Sequence, residues 1–313
     1  MQTYPWGHHK RYNDYSSYFK AKFSNRVQKI AVDAGFTCPN RDGKKGVGGC
    51  TYCNNNTFNP FYCLPDKSVT QQLNEGIAFF EAKYKTQQYL AYFQAYSNTY
   101  SSLQYLKILW NEALSHPKVI GMVIGTRPDC VDNDVLDYLA ELSAKYYVVL
   151  ELGIETTLDR TLKFINRGHS FADSVDAIRR AYERGLETGI HMILGLPGES
   201  HLEILAHADS VSKLPINTIK LHHLQIIKGT VMAGQYAENP EMFHLFRADE
   251  YVSFMVEFLK RLNPGIVVER FISESPHDLL IGPKWNGLKN FEIIHRIEKM
   301  LEKTNSWQGM NFQ

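Results

Sequence analysis

Cys38, Cys50 and Cys53 are the residues with which chemistry can begin. They lie within Cys38-Pro39-Asn40-Arg41-Asp42-Gly43-Lys44-Lys45-Gly46-Val47-Gly48-Gly49-Cys50-Thr51-Tyr52-Cys53. Thiolates are soft ligands, and a Cys-x-x-Cys pair grips one metal ion or neighbouring irons of a cluster. Lys44, Lys45 and the glycines surround the sulfurs with positive charge and pliable backbone. Four readings compete. Three thiols suit an iron–sulfur site, whereas structural zinc wants four ligands and would draw on Cys63. A thioredoxin-like pair at Cys50 and Cys53 lacks its usual local context. The plainest reading is unrelated surface thiols. We take the iron–sulfur site; Cys130, just before a predicted helix, reads as a buried or incidental thiol.

The elements that would position these thiols alternate between two periods. Ile30 and Val32 mark a first strand over 28–33, and the cysteine loop follows it directly. Further strands are predicted over 90–95, 119–125, 147–153, 187–194 and 218–221. Between them fall helices over 69–84, 103–114, 133–143 and 173–184, with another ending at Ser212. Ser68 with Gln71, and Ser200 with Glu203, offer capping boxes. Six such units imply parallel strands with right-handed crossovers, as an open doubly wound sheet or an incomplete β/α barrel. Either architecture gathers chemistry at the C-terminal ends of its strands, which is where the cysteine loop stands. Beyond residue 222 the alternation breaks. Helices over 247–262 and 291–303 and a strand over 266–271 follow. The expected division is a basic, aromatic N-terminal extension (1–26), a core (27–232) and a C-terminal helical extension packed on it (233–313).

Composition narrows the class without naming it. The chain has 313 residues, 44% of them hydrophobic and 21% charged, as in an ordinary globular protein. A net charge of +1 excludes a strongly polyanion-seeking protein overall, yet residues 1–30 hold six Lys or Arg against Asp14 alone. No apolar run approaches the ~18 residues of a membrane helix. The N-terminus lacks a hydrophobic signal region, and five cysteines are an odd number. Together these argue for a cytoplasmic protein without a disulfide framework or membrane partner.

The cysteine loop, with Tyr52 before its last thiol, resembles that of the radical S-adenosylmethionine superfamily. More narrowly, Cys-Pro-Asn-Arg-Asp-Gly followed by Gly-Gly-Cys-Thr-Tyr-Cys-Asn is similar to the YtqA/YhcC family, related to the radical domain of the elongator catalytic subunit. Pro5-Trp6-Gly7-His8 and Gly282-Pro283-Lys284-Trp285 extend the likeness over nearly the whole chain. Eleven residues separate the first two cysteines where the superfamily commonly has three, which fits the narrower family. The resemblance implies a partial (β/α)6 TIM-like barrel with N- and C-terminal extensions. It also implies a 4Fe-4S cluster held by Cys38, Cys50 and Cys53, with one iron left for the amino and carboxylate groups of S-adenosylmethionine. An electron from a flavodoxin or ferredoxin-type donor would then split the sulfonium bond, and the resulting 5′-deoxyadenosyl radical would take a substrate hydrogen.

The same likeness assigns cofactor contacts, though no catalytic residue. Ser97 and Asn98 stand where the superfamily often has Gly-Gly-Glu and would bind the amino group without its carboxylate. Glu155, in Glu151-Leu152-Gly153-Ile154-Glu155-Thr156-Thr157, resembles the Gly-Ile-Glu-Ser type and would meet the ribose hydroxyls. Arg167 would face the cofactor carboxylate with its planar fork. Ile193 and Gly195, in the run Gly189–Glu199, resemble the adenine-binding strand, and Gln225 follows the sixth strand. His222 and His223 alternate in direction, so one of them lining a substrate cavity is the simpler expectation than a shared metal.

Relatives act on the wobble uridine of tRNA, and YtqA-type members are associated with remodelling its 5-carboxymethylaminomethyl group towards 5-aminomethyl. The tyrosine-rich N-terminus and the helix bearing Arg296, Lys299 and Lys303 offer phosphate and base contacts. Without an acetyltransferase-sized extension, a second cysteine cluster or a cobalamin module, acetyl transfer and methylthiolation are disfavoured. The rival expectations are small-molecule chemistry like that of oxygen-independent coproporphyrinogen oxidase, and a zinc-stabilised RNA-binding protein without catalysis.

Overall fold

Strands rich in Val, Ile, Leu and Tyr and buried on both faces demand cover on both sides, which parallel strands with crossover helices provide. The computed structural model describes residues 3–23, 25–57, 59–84 and 87–312. Met1, Gln2 and Ser24 of the expected N-terminal extension lie outside the described residues.

A short helix α1 (Tyr15–Lys22) precedes β1 (Arg26–Val32). Then come α2 (Val69–Glu81), β2 (Gln87–Phe93), α3 (Leu103–Leu114), β3 (Val119–Thr126), α4 (Asn133–Ser143) and β4 (Tyr147–Glu155). After α5 (Asp159–Phe164) and α6 (Phe171–Glu183) follow β5 (Glu187–Leu194), α7 (His201–Val211), β6 (Thr218–His223), β7 (Ile226–Ile227) and α8 (Val231–Glu238). The chain ends with α9 (Ala248–Arg261), β8 (Val267–Arg270), β9 (Leu280–Gly282) and α10 (Asn290–Lys303). The capping box expected at Ser200 and Glu203 forms in both directions, while Ser68 supplies one half, accepting from the Gln71 amide.

Seven strands pair in parallel in the order β1-β2-β3-β4-β5-β6-β8, and β7 pairs antiparallel with β9. Six spacings of about 4.8 Å would hold the outer strands of a flat sheet some 29 Å apart. Yet Lys29 of β1 reaches Glu269 of β8 at 2.8 Å and Glu151 of β4 at 2.7 Å. The sheet is therefore curled into a partial barrel, not opened out. Charged side chains meet inside it, and the helices pack outside on a continuous apolar layer that includes Leu73, Trp110, Leu139, Ile178 and Ala208.

The N-terminal stretch has a different job from the RNA-contacting arm expected of it. Asp14 bridges to Val268 of β8, and α1 packs against both β1 and β8. Phe19 is buried against Leu90, Tyr92, Val123 and Val149, with Tyr15, Tyr18 and Phe23 around it, so α1 plugs the barrel. Tyr4 and Tyr12 are buried as well. Lys10 pairs with Asp14, and Lys22 with Glu187. These aromatic and basic groups are spent on packing because an incomplete barrel leaves an apolar interior that must be covered. At the other end, 233–313 is not only helical: β8 joins the main sheet, and α10 buries Ile293, Ile297 and Leu301 against α9. Arg296 and Lys299 of α10 pair with Asp249 and Glu302. Among the described residues no helix is long and apolar enough to cross a membrane.

Candidate active site

The C-terminal ends of the strands open on a cavity of about 270 Å³ that runs down into the barrel and is bordered by Cys38, Cys50 and Cys53. Local chemistry shapes the loop that carries them. The Cys38 carbonyl accepts from the amides of Arg41 and Asp42, at 2.9 and 3.2 Å, and Asp42 bridges to Val47. Gly49 closes the turn at φ +81°, where a Cβ would lie 2.9 Å from the Arg41 guanidinium. The loop is then stitched to its surroundings. The Thr51 amide donates to the Ile165 carbonyl at 3.0 Å, and the Thr51 carbonyl accepts from Met232 at 2.8 Å. Asn40 donates to the Asn166 carbonyl at 2.8 Å, and Asn166 donates to that of Gly49 at 2.7 Å.

Three donors point at the sulfurs. Ser97 Oγ donates to Cys38 Sγ at 3.2 Å; Asn40 Nδ2 and Arg167 Nη1 donate to Cys50 Sγ at 3.3 and 3.4 Å. Such contacts stabilise thiolate charge and fix ligand direction. Burial pushes the Cys38 thiol up and Cys53 to about 11, so at neutral pH a metal centre must displace their protons. Among the described residues, no three His, Cys, Asp or Glu side chains converge closely enough for a single ion. Cys38, Cys50 and Cys53 nonetheless all border the one cavity. Cys63, the fourth ligand a zinc site would need, lies buried in the core beside Val32 and Tyr62 and does not border the cavity. Cys130 does not border it either.

Two buried arginines flank the thiols. Arg167 donates to the Gly153 carbonyl at 2.5 Å and lies 3.3 Å from Glu155, leaving Nε without a partner. Gly153 makes this seat possible, because a Cβ there would stand 2.6 Å from both Arg167 Nη2 and Glu155 Oε1. Arg127, only 1% exposed, forks onto Asp129 at 2.9 and 3.0 Å and keeps Nη1 unpartnered. A buried N–H left over is costly unless a ligand takes it, and a carboxylate is the natural acceptor for a guanidinium. The donor set therefore fits a cluster and a carboxylate-bearing cofactor.

Lower in the barrel lies a second polar layer. Glu151 accepts from Lys220 at 2.7 and 2.8 Å, from Lys29 at 2.7 Å, and stands 2.9 Å from His191. Tyr92 accepts from Lys220 at 3.1 Å, and Glu269 lies 3.2 Å from it. Burial lowers the Lys220 ammonium to about 8 despite these carboxylates.

Glu155, Arg167, Ile193 and Gln225 border the cavity, as do both His222 and His223. His222 faces His191, whereas His223 stacks on Trp285 at 4.1 Å. Gln225 is tied to the 273–275 segment, its amide nitrogen donating to the Ser273 carbonyl and its oxygen accepting from Ser275. Three sequence candidates fall outside the lining. Ser97 acts on the Cys38 sulfur. Asn98, fully buried, donates to the carbonyls of Phe93 and Gly125, which makes it a brace between strand ends. Gly195 sits at φ +89° with Phe246 where its Cβ would go. Arg127 and the pairing of Glu151 with Lys220 escaped the sequence reading. For Arg127 the signal was present in Thr126-Arg127-Pro128-Asp129, directly at a strand's C-terminal end.

Comparison with known proteins agrees with this geometry. The sequence model of the Radical SAM superfamily matches residues 38–211, and that of the Radical_SAM C-terminal domain matches 216–303. The chain is 35% identical to YtqA of Bacillus subtilis, over 100% of this chain and 97% of that protein. It is 36% identical to YhcC of Escherichia coli K12, over 84% of each. The tRNA uridine(34) acetyltransferase of Methanocaldococcus infernus is 24% identical over 62% of this chain and 35% of its own length. In three dimensions, Elp3 of the same archaeon, with its N-terminus deleted, superposes with a TM-score of 0.67 at 16% identity, covering 91% of this chain and 64% of that one.

Proposed function

The chain belongs to the radical S-adenosylmethionine superfamily, and from that premise we propose that it modifies tRNA at the wobble uridine. It is a radical enzyme whose cofactors are a 4Fe-4S cluster and S-adenosylmethionine. The change we assign is from 5-carboxymethylaminomethyl towards 5-aminomethyl, with a flavodoxin or ferredoxin-type protein as electron donor. When bound, the cofactors supply one-electron chemistry that removes a hydrogen atom from an unactivated C–H bond.

The chain's own residues divide the remaining work. Cys38, Cys50 and Cys53 hold the irons, and Ser97, Asn40 and Arg167 steady two of those sulfurs. Arg127 and Arg167 take the cofactor carboxylate through their unpartnered nitrogens. Glu155 meets the ribose, and Ile193 offers an apolar face to the adenine. The plugged barrel excludes water from below, which protects a reactive centre from side reactions.

The observation that carries the substrate reading is the likeness to the tRNA uridine(34) acetyltransferase, which covers 62% of this chain. Lys44 and Lys228 support it, standing exposed on the cysteine loop and beyond β7, where RNA phosphates would approach. The test compares tRNA nucleosides from cells with and without the gene. Loss of the gene should raise 5-carboxymethylaminomethyl at the expense of its aminomethyl products. An unchanged wobble-uridine profile rejects the assignment.

A further inference from the structure

The polar layer inside the barrel carries one more positive charge than it can satisfy. Lys29 and Lys220 are matched by Glu151 and Glu269, each lysine lying within 3.2 Å of both carboxylates. Arg270 is the fifth charge. It borders the same cavity, is solvent-exposed, and has no hydrogen bond or ion pair among the described residues. It is also the register partner of Lys220 on the neighbouring parallel strand. Like charges side by side on adjacent strands are destabilising. A register shift between Ile219 and Lys220 accompanies this arrangement, and such shifts re-aim side chains next to active sites. Beside it His222 also borders the cavity, with Nε2 buried and unpartnered. Burial holds this imidazole well below its ordinary pKa, with His191 and Arg270 adding to the effect, so it is a neutral hydrogen-bonding group.

We propose that Arg270 binds a carboxylate of the substrate and, with His222 beside it, sets specificity for an acidic side group. The cofactor's own carboxylate has Arg127 and Arg167 next to the thiols, whereas Arg270 stands beside Lys220 on the neighbouring strand. The inference rests on the proposed function in one respect. The carboxylate is then that of the 5-carboxymethylaminomethyl group, the feature that distinguishes substrate from product.

Two measurements on the cluster-loaded full chain separate the claims. In the first, acetate and acetamide are titrated while the His222 ring signals are followed by NMR, assigned with His222→Gln. Acetate should shift them and acetamide should not, and Arg270→Gln should weaken the acetate response about tenfold or more. No response in the wild type, or an equal response in Arg270→Gln, overturns the anion site. In the second, turnover is measured on tRNA bearing the 5-carboxymethylaminomethyl group and on its uncharged amide. Arg270→Gln should raise KM for the acid about tenfold and leave KM for the amide in place, with Arg270→Lys intermediate. An equal rise for both substrates means a phosphate is the anion, and the carboxylate assignment falls. If the wild type acts on no tRNA uridine while acetate still reports on His222 through Arg270, the proposed function fails and the anion site stands.

Discussion

Replacing Glu151 by Gln removes a negative charge from a place where little water can replace it. Glu151 is 2% exposed and receives Lys220, Lys29 and His191. Burial alone would raise its carboxyl, but Lys220 and Lys29 outweigh burial and hold it well below the usual carboxylate range. Glutamine keeps the shape and one acceptor, leaving both lysines to share Glu269. Breaking a buried pair in this way costs about 3–5 kcal/mol. Lys220 limits its own share. Its fall from 10.5 to about 8 already represents roughly 3 kcal/mol in the wild type, at about 1.4 kcal/mol per unit. A Lys220 that sheds its proton entirely at pH 7 costs about 5 kcal/mol on the same scale. The mutation therefore adds only about 1–2 kcal/mol there, and the remainder falls on Lys29 and the lost hydrogen bonds. The dependence on pH follows from proton counts. Between about 8 and 10.5 the unfolded chain holds the Lys220 proton and the native chain does not, so stability from this group rises with pH across that window. In Glu151→Gln the window opens below pH 7, so the variant should recover about 1 kcal/mol on the wild type between pH 7 and 9. Urea unfolding followed by tryptophan fluorescence at the two pH values measures both quantities. A variant within about 1 kcal/mol of wild type at pH 7, or a deficit unchanged at pH 9, refutes the reasoning.

Alanine at Cys38, Cys50 or Cys53 should reduce the iron of anaerobically reconstituted protein from about four per chain to near none, with circular dichroism unchanged. Cys63→Ala should keep its iron, and iron lost from that variant would restore Cys63 as a ligand. Arg127→Lys should weaken S-adenosylmethionine binding about tenfold or more in equilibrium dialysis, since the fork on Asp129 and the spare Nη1 cannot both be reproduced by an ammonium. Phe19→Ala should cost about 3–5 kcal/mol in urea by emptying the barrel plug, with the cluster still loading.

Local pattern made most of the scaffold legible. The expected strands lie within a few residues of the observed ones, and Ser200 with Glu203 capped as their spacing required. Curvature was not legible, because open and curled parallel sheets have the same strand pattern; the contact of Lys29 with Glu269 decides it, across 240 residues of chain. Three helices went unread for related reasons. α5 has six residues, too few for a period, and α1 and α8 are only weakly amphipathic. In the site, the cysteines announced themselves through spacing. Ser97 and Asn98 carried the right polarity, but only the fold shows that one serves a sulfur and the other two carbonyls. Glu151 lies in the strand expected over 147–153, yet its partners come from β1, β5 and β6.

The joining of residues 11–14 to Val268 and Gln308 has a consequence for the order of folding. Gln308 donates from its backbone to the Arg11 carbonyl, accepts from the Asn13 amide, and ties the Asn263 and Ile266 carbonyls with its side chain. Asn13 and Asp14 in turn dock on Val268. Contacts of such wide sequence separation must wait for residues 295 positions further along the chain. During synthesis, β1 to β6 emerge with the interior still open, and the first helix finds its place only when β8 has left the ribosome. The nascent chain therefore exposes the wall that Phe19 will cover until β8 has been made, long after β2, β3 and β4 that form it.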